Sequence, residues 1–541
     1  MTTISPKKSK SKLEKKAEKK ARQIQRQIQK KNKTKCLGKT LTAKQKEIRS
    51  QKIADRKAFK EKRRQLRIEE KETRETQQIE KVFSQIFNTN TLDLLAKSTG
   101  FIKRKGEITA FAFVYIISFG HFGNGEIALT YLVAGLSKHF AIFVTPQALS
   151  KRINSSSAPN FLKTVLERLL GAQIEKGLKN QMSKCFSMFD GVYIQDSTQV
   201  ALNEHLSDDF EGQGGGASKS ALKIDFVYDI TNYIVSSIKM TSATVNDQTN
   251  CKEILKCIKS KSLVIRDLGY FTIDCLKKIQ KKGCYYLSRL TISANVYLDK
   301  DGIVPLDLVK YFKMHLNENN DTLNVKVYVG KEERMETRLI VQKVPASVAA
   351  KRARRHKNER KKEPSPFYTE WCKYSIFITN IPESMFSTNL IIALYKIRWQ
   401  IEIVFKSLKT NVEIDYMKGT NKNRIKSLVY GRLITLVATF IIQNYVANIA
   451  EDREVSGDKL IKWLMSDNRL RDAIIQNNLT MLLISLVYEV FLLCKQQRNR
   501  KTTLEEIIEA MGNPSSQPFT ASASEGILED EIFKDLFYEA M

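Results

Sequence analysis

One short stretch of the sequence places four polar side chains at spacings that could serve chemistry on a phosphate ester. Tyr395, Arg398, Glu402 and Lys409 follow one another at intervals of three, four and seven residues. At about 100° of turn per residue, these positions fall within about 60° of arc on one helix, opposite an apolar face. The same spacing also suits a simple Arg398–Glu402 ion pair on a half-buried helix, worth about 0.3–0.5 kcal/mol. The stretch alone therefore leaves both interpretations open.

Two aspartates upstream favour the chemical interpretation. Asp196 ends the strand-like run 188–196, and Asp267 ends the apolar run 261–267 before a glycine turn. Carboxylates at the ends of neighbouring strands lie where α/β sheets place their chemistry. With Glu402 they offer oxygen ligands to two Mg²⁺ ions about 3.5–4 Å apart, an arrangement that stabilises the attacking and leaving oxygens of phosphoryl transfer. We expect Asp196 to bridge the two ions.

The cations and the phenol of the helical stripe complete this predicted site. Arg398 would bind substrate phosphates through its fork of donors, and Lys409 as a point charge. Tyr395 would donate a hydrogen bond to another phosphate oxygen. The stripe therefore predicts contacts to a nucleic-acid backbone beside the carboxylates.

The pattern Tyr395-x2-Arg398-x3-Glu402-x6-Lys409 resembles the YREK signature of the IS4 group of bacterial DDE transposases. The resemblance covers residues 95–450, roughly. Further matching segments are Asp196-Ser-Thr198, Asp267-Leu-Gly269-Tyr270, Tyr286-Leu-Ser-Arg289 and Thr379-Asn380. Leu268, where relatives often carry a polar or small residue, is a departure that touches no predicted ligand.

The resemblance implies a fold, an activity and a set of ligands. The fold would be an RNase H-like core, interrupted between Asp267 and Glu402 by a mostly β insertion. The activity would be cutting at transposon ends and joining of the freed 3′-hydroxyls to target DNA, using two Mg²⁺ or Mn²⁺ ions. A homodimer bound to paired ends would carry it out, with excision through a DNA hairpin. Trp399 occupies the position of an aromatic that holds the distorted strand, although ordinary packing also explains it.

Composition indicates a soluble, multidomain protein that binds a polyanion. The 541 residues exceed the ~250–300 that one core usually holds. A net charge of +32 predicts nucleic acid as the partner, although ribosomal or membrane-surface binding gives the same charge. The eight cysteines form no CxxC pair and lack zinc-finger spacing, which indicates reduced thiols in a cytosolic protein. The apolar stretches 433–442 and 481–494 are predicted to be too short or too interrupted to span a membrane, and the charged N-terminus does not fit a secretory signal.

Apolar and β-branched runs predict strands at 221–228, 233–240, 284–289, 325–329, 337–343 and 374–379, with hairpin turns at 229–232 and at Gly330, and residues 247–259 are predicted to be helical. This order of elements predicts α/β architecture, with a mixed sheet flanked by helices and helical N- and C-terminal regions. Residues 1–80 carry 28 Lys and Arg against 10 Asp and Glu, which favours a flexible or partly helical arm on phosphates over a mere solubility device. Thr145 and Pro146 begin a helix compatible with a helix-turn-helix reader of DNA.

The predicted regions are a basic arm (1–82), a helical DNA-binding region (83–185), the first part of the core (186–290), a mostly β insertion ending in a basic helix (291–370), the second part of the core (371–412) and a helical C-terminal region (413–541).

The predicted DNA contacts fall into two groups. Eight cations between Lys351 and Lys362 would lie along a nucleic-acid backbone, unless the run is only a solvated linker. The full predicted set is Thr198, Arg289, Lys351, Arg352, Arg354, Arg355, Tyr395, Arg398, Trp399 and Lys409. The leading hypothesis is a DNA transposase of an IS4-type insertion sequence, acting on double-stranded DNA in the bacterial nucleoid and not at a membrane. The alternatives are a non-catalytic, architectural DNA-binding protein and a general RNase H-like nuclease.

Overall fold

The computed structural model describes residues 76–494, except residues 105, 121–127, 177–185, 187, 233, 318–319, 416, 418, 450–454 and 466–468. Most of the predicted basic arm, residues 1–75, therefore lies outside the described residues, as does the end of the C-terminal region beyond residue 494. Within the described part, residues 76–86 are helical.

A nine-stranded mixed sheet is the centre of the fold and confirms the predicted fold class. The strands lie in the order β3-β2-β1-β4-β5-β9-β8-β7-β6. Strand β1 pairs in parallel with β4, and β4 in parallel with β5, while the other neighbours are antiparallel. The strands are β1 (Val192–Ala201), β2 (Ala221–Asp229), β3 (Ile234–Ser242), β4 (Leu263–Arg266), β5 (Tyr285–Arg289), β6 (Val296–Tyr297), β7 (Thr322–Val329), β8 (Met335–Lys343) and β9 (Tyr374–Thr379).

Helices flank the sheet, in which β2, β4 and β9 are buried on both faces. They are α1 (Thr89–Ser98), α2 (Ala110–Phe119), α3 (Leu129–Phe140), α4 (Pro146–Ile153), α5 (Ser157–Lys176), α6 (Asp247–Asn250), α7 (Ile254–Cys257), α8 (Ile273–Lys281), α9 (Leu308–His315), α10 (Ala346–Arg360), α11 (Pro366–Trp371), α12 (Thr388–Tyr395), α13 (Gln400–Thr410), α14 (Lys422–Ile449), α15 (Gly457–Met465), α16 (Arg469–Ile475) and α17 (Leu479–Leu493). Successive strand residues enter different cores: Ile265 packs in the core that contains α13 and α14, and Val264 in the core that contains α8 and α9.

The strands predicted within the insertion continue the sheet that carries the aspartates. Strands β7 and β8 form the hairpin predicted around Gly330, whose φ of 125° suits glycine. Strand β8 then pairs antiparallel with β9 through six residue pairs, from Arg338↔Thr379 to Lys343↔Tyr374. The segment 291–370 thus contains β6, β7 and β8 together with the helices α9 and α10, and β8 shares backbone hydrogen bonds with β9 of the second part of the core.

Two predicted boundaries near the aspartates are wrong. Strand β1 begins at Val192 and continues to Ala201, so Asp196 lies inside a strand and not at its end. The extension arises because β2 pairs with β1 along its whole length, down to Ala201↔Ala221. The single helix predicted over residues 247–259 is divided into α6 and α7.

The long helix α14 is a core element. Its segment Lys422–Ala447 is long and apolar enough to cross a membrane, so the predicted apolar stretch at 433–442 was too short. However, 89% of its most apolar window is buried inside the protein, as expected for the core helix of a globular fold. It packs closely on α2, because a Cβ at Gly431 would lie 2.5 Å from the carbonyl oxygen of Ile117.

Candidate active site

Parallel pairing of β1 and β4 places the two predicted aspartates side by side. Gln195 is the register partner of Arg266, and each precedes one of the aspartates. Asp196 and Asp267 therefore leave neighbouring positions of adjacent strands. Asp196 shares the face of Ile194, since alternate strand residues point to the same side.

The third carboxylate comes from a helical segment that crosses this face. The helix predicted over 395–409 begins earlier, as α12, tightens into a 3₁₀ turn at Lys396–Trp399 and continues as α13. The predicted apolar face is confirmed: Ile397, Ile401, Val404, Phe405 and Leu408 are buried. The ring of Phe405 packs edge-on against Phe226 of β2, with centroids 5.4 Å apart. This packing holds the segment over the sheet.

The Arg398 guanidinium lies among all three carboxylates. Its Nη1 donates to Oδ2 of Asp196 at 3.0 Å, and its Nη2 donates to Oε1 of Glu402 at 2.8 Å. Its Nε is 4.0 Å from Oδ1 of Asp267. The side chain of Arg398 is only 7% exposed, so this cation replaces solvent as the partner of the acidic groups. Residues separated by more than 200 positions along the chain thus form one cluster, in which a single guanidinium faces three carboxylates.

The environment sets the protonation states in this cluster. Burial by itself lowers the pKa of Arg398, but the charges of Asp267, Asp196 and Glu402 outweigh it and raise the pKa well above its usual value. Burial, together with Asp267, raises the pKa of the Tyr395 phenol. The phenol therefore stays neutral and donates to Oδ1 of Asp267 at 3.4 Å.

The three carboxylates suit a hard divalent cation, although the guanidinium of Arg398 lies between them. Carboxylate oxygens are the ligands that Mg²⁺ and Mn²⁺ prefer. Within the described ranges, no three carboxylate, imidazole or thiol groups stand close enough together to hold a metal ion directly. The residues fit such ions by chemistry, provided that the guanidinium turns away from the carboxylates.

The other residues predicted around the site occupy different environments. Thr198 is buried on β1, two positions after Asp196. Arg289 ends β5, and its charge lowers the pKa of Tyr395 slightly, which places it near the cluster. Trp399 is half-buried in the 3₁₀ turn, and Nζ of Lys409 lies 3.9 Å from Oδ2 of Asp415.

The predicted basic helix is α10, and its four predicted DNA-binding cations differ in their contacts. Lys351 and Arg354 are exposed. Arg355 pairs with Glu359 at 2.7 Å on the same helix. Arg352 points inward: Nη1 donates to the carbonyl oxygen of Tyr374 at 3.0 Å, and Nη2 donates to Oγ of Ser375 at 3.0 Å. Arg352 therefore fastens α10 to β9.

Alanine substitution on α10 should separate anchoring from DNA binding. We expect Arg354→Ala to weaken DNA binding and to reduce its salt dependence by about one phosphate contact. Arg352→Ala should lower the free energy of unfolding by about 1–3 kcal/mol, because it leaves partly buried acceptors without their charged donor. Urea denaturation and salt-dependent DNA titration measure the two effects. Equal losses of stability in both variants would contradict the distinction.

A buried polar network lies under the aspartates and was missed in the sequence. Arg266 donates to Oε1 of Gln195 at 2.8 Å, and Gln195 donates to Oδ1 of Asp225 at 3.0 Å. The hydroxyl of Tyr270 donates to the other oxygen of Asp225. Arg266 and Gln195 directly precede the two aspartates, so the network fixes both chain segments. The available signal was three polar residues inside otherwise apolar strands, at positions that a buried sheet seldom gives to charged groups.

This network predicts a pH dependence of stability. Burial raises the pKa of Asp225 to about 6, even though hydrogen bonds from Tyr270 and Gln195 oppose the rise. The folded protein therefore keeps a proton on Asp225 that the unfolded chain has lost, and the contribution of Asp225 to the free energy of unfolding falls as the pH rises from about 4 to 6. The fall is on the order of 3 kcal/mol. Asp225→Asn should remove this fall in urea denaturation measured across that range.

A matched control for this test is Asp274→Asn. Asp274 is exposed, and a hydrogen bond from Lys278 lowers its pKa. We expect this variant to keep the fall in stability between pH 4 and 6. A parental pH profile in Asp225→Asn would show that Asp225 is not the responsible group.

Comparisons with known proteins now bear on this site. Residues 187–438, which include all three clustered carboxylates, match a family described as "Transposase DDE domain". The chain is 29% identical over 384 residues to the transposase for insertion sequence element IS1151 of Clostridium perfringens, covering 67% of this chain and 80% of the relative. It is 27% identical over 418 residues to the transposase for IS231B of Bacillus thuringiensis subsp. berliner, covering 73% and 87%. A putative transposase of Escherichia coli (strain K12), InsL for IS186A, is 20% identical over 374 residues, covering 68% and 93%.

Proposed function

On the premise that this chain is a DDE transposase, we propose that it serves an IS4-type insertion sequence, cutting the element's ends and joining the freed 3′-hydroxyls to target DNA. The observation that carries this proposal is the convergence of Asp196, Asp267 and Glu402 on the single guanidinium of Arg398. These three acids and this arginine lie at the spacing of the YREK signature and its two preceding aspartates. A non-catalytic DNA-binding protein has no need for three half-buried carboxylates at one spot.

The three carboxylates would hold two Mg²⁺ or Mn²⁺ ions. When bound, such ions activate the attacking hydroxyl and stabilise the leaving oxygen of a phosphodiester. Arg398 offsets part of the acidic charge before the ions bind, and its planar fork suits a DNA phosphate once it is released. The neutral phenol of Tyr395 donates a hydrogen bond at the same place. Lys409 would add a point charge for the backbone.

The remaining regions would bind and arrange DNA. We propose that the helical region 83–185 contacts DNA through the exposed Gln147 and Lys151 of α4. The exposed cations of α10 would follow a phosphate backbone. Trp399 would stack on a distorted strand during hairpin formation, a contact worth about 1–3 kcal/mol. Synapsis would involve a homodimer on paired ends, and the protein would work at the nucleoid in the cytoplasm.

Strand transfer in a defined reaction tests the proposal. Purified full-length protein, Mg²⁺, a supercoiled plasmid carrying the inverted repeats that flank the coding region, and a second target plasmid are incubated together. We expect breaks at the outer ends of the repeats and covalent joints between element 3′-ends and the target, read by sequencing. A plasmid without the repeats is the control. Cleavage without joints would indicate a nuclease, and binding without cleavage would indicate an architectural protein.

A further inference from the structure

A fourth carboxylate, Asp247 at the start of α6, lies between the chain segments that carry Asp196 and Asp267. Its Oδ1 accepts hydrogen bonds from Oγ of Ser197 at 3.1 Å and from Nζ of Lys223 at 3.1 Å. Its Oδ2 lies 3.0 Å from the position that a Cβ would take on residue 269. Asp247 thus touches the residue after Asp196 and the turn after Asp267.

Toward Asp196, a single residue, Ser197, connects Asp247 to the Asp196 carboxylate. The backbone N–H of Ser197 donates to Oδ1 of Asp196 at 2.8 Å, while its hydroxyl donates to Asp247. Because successive side chains of a strand point to opposite faces, Ser197 and Asp247 lie across the sheet from the Asp196 carboxylate. Asp247 is therefore placed to hold the backbone of β1 and not to enter the cluster around Arg398.

Toward Asp267, Asp247 packs against the 3₁₀ turn Leu268–Tyr270 that directly follows Asp267. A Cβ at position 269 would lie 3.0 Å from Oδ2 of Asp247, so a larger residue there would displace the carboxylate slightly. Leu268, the residue between Asp267 and Gly269, is exposed and takes no part in this packing.

Lys223 locks the orientation of Asp247. Its side chain is 6% exposed, and Nζ also donates to the carbonyl oxygen of Val245 at 2.6 Å. A buried ammonium without a counter-charge is costly, so Lys223 holds the Asp247 carboxylate in one place. The ion pair therefore connects β2 to Asp247, which contacts β1 through Ser197 and lies against the turn after β4.

We propose that Asp247, held by Lys223, is a positioning residue that fixes the spacing of Asp196 and Asp267 for binding of divalent cations. This rests on the proposed function, in which those two aspartates are metal ligands. Outer-shell groups that orient metal ligands typically contribute 10–100-fold to metal affinity. Asp247 acts through Ser197 and through the turn at Gly269, without itself touching an ion or DNA.

Mn²⁺ binding by the full-length protein, measured by electron paramagnetic resonance, tests the proposal. Asp247→Asn leaves Lys223 buried without its counter-charge, so the Asp247→Asn/Lys223→Met double variant is measured beside it as the variant expected to fold. We expect Mn²⁺ affinity to fall about 10–100-fold in both, with end cleavage restored largely by excess Mn²⁺. Lowered thermal stability with parental Mn²⁺ affinity would overturn the proposal in favour of a purely structural ion pair. A cleavage defect that excess Mn²⁺ does not restore would overturn it in favour of a direct role.

Gly269→Ala provides an independent test that does not disturb any charge. The added methyl group should press on Oδ2 of Asp247 and weaken Mn²⁺ binding, and it should cost nothing further in an Asp247→Ala background, where the carboxylate is gone. Additive losses in the double variant would contradict coupling through Asp247.

The single variants Asp196→Asn and Asp267→Asn distinguish failure of the positioning role from failure of the proposed function. If these two variants bind Mn²⁺ as the parent does, the proposed function fails as well. If they abolish it while the Asp247 variants do not weaken it, only the positioning role fails.

Discussion

Replacing Arg398 with methionine should destabilise the metal-free protein and make its stability depend strongly on divalent cations. The substitution removes a positive charge whose side chain is 7% exposed, and it leaves carboxylates that are 18–32% exposed facing one another. Removing one partner of a buried ion pair costs about 3–5 kcal/mol. Since these carboxylates keep part of their hydration, we expect a loss of about 2–4 kcal/mol.

The measurement compares urea denaturation in EDTA with denaturation at saturating Mg²⁺. Cations that bind the three acids take over the neutralising role of Arg398, so Mg²⁺ should stabilise Arg398→Met much more than it stabilises the parent. In the parent, the ions must first displace the guanidinium, which reduces their net effect. Arg354→Met, on the exposed face of α10, is the matched control and should respond to Mg²⁺ as the parent does. If Arg398→Met were as stable as the parent in EDTA, Arg398 would not be stabilising the three carboxylates.

Local patterns in the sequence were sufficient to predict much of the framework. Strand β9 was predicted at 374–379 and is found there, and both predicted hairpins form, one around residues 229–232 and one around Gly330. The apolar side of α13 also follows from helical periodicity alone. In each of these cases the signal lies within one continuous segment of the chain.

Long-range partners were beyond the reach of such patterns. Spacing predicts that Arg398 pairs with Glu402, which lies one turn away, but Asp196 is 202 residues distant. The sequence therefore predicted that Arg398 binds phosphate, but it did not reveal Asp196 and Asp267 as partners of Arg398. Asp247 gave no signal either, because a single acid at the start of a short helix is a common N-terminal residue.

The basic helix α10 shows how composition can conceal a structural role. A dense run of cations predicts a surface for phosphates, yet it does not say which cation faces inward. Val348 is fully buried, and Arg352 follows it by four residues on the same side of the helix. Helical periodicity therefore held the signal that Arg352 belongs to the buried side.

The greatest loss of activity is expected from the three carboxylates. Asp196→Asn, Asp267→Asn and Glu402→Gln keep the size of each side chain, and each can still accept a hydrogen bond from its neighbour. The fold and DNA binding should therefore persist. Nicking and joining should both fall by at least about 10³-fold, equivalent to about 4 kcal/mol in the barrier, because each change removes a charged metal ligand.

Non-additivity distinguishes a shared site from three separate contributions. If the carboxylates act as one unit, Asp196→Asn combined with Glu402→Gln should be no slower than the slower single variant. End cleavage and strand transfer are measured on the same substrates for the parent, the single variants and the double variant, with DNA binding as the control for folding. Near-parental strand transfer by any single variant would remove that residue from the site. Independent, multiplying losses would instead indicate that the cluster around Arg398 is not where the phosphodiester reacts, because groups that bind the same ions cannot fail independently.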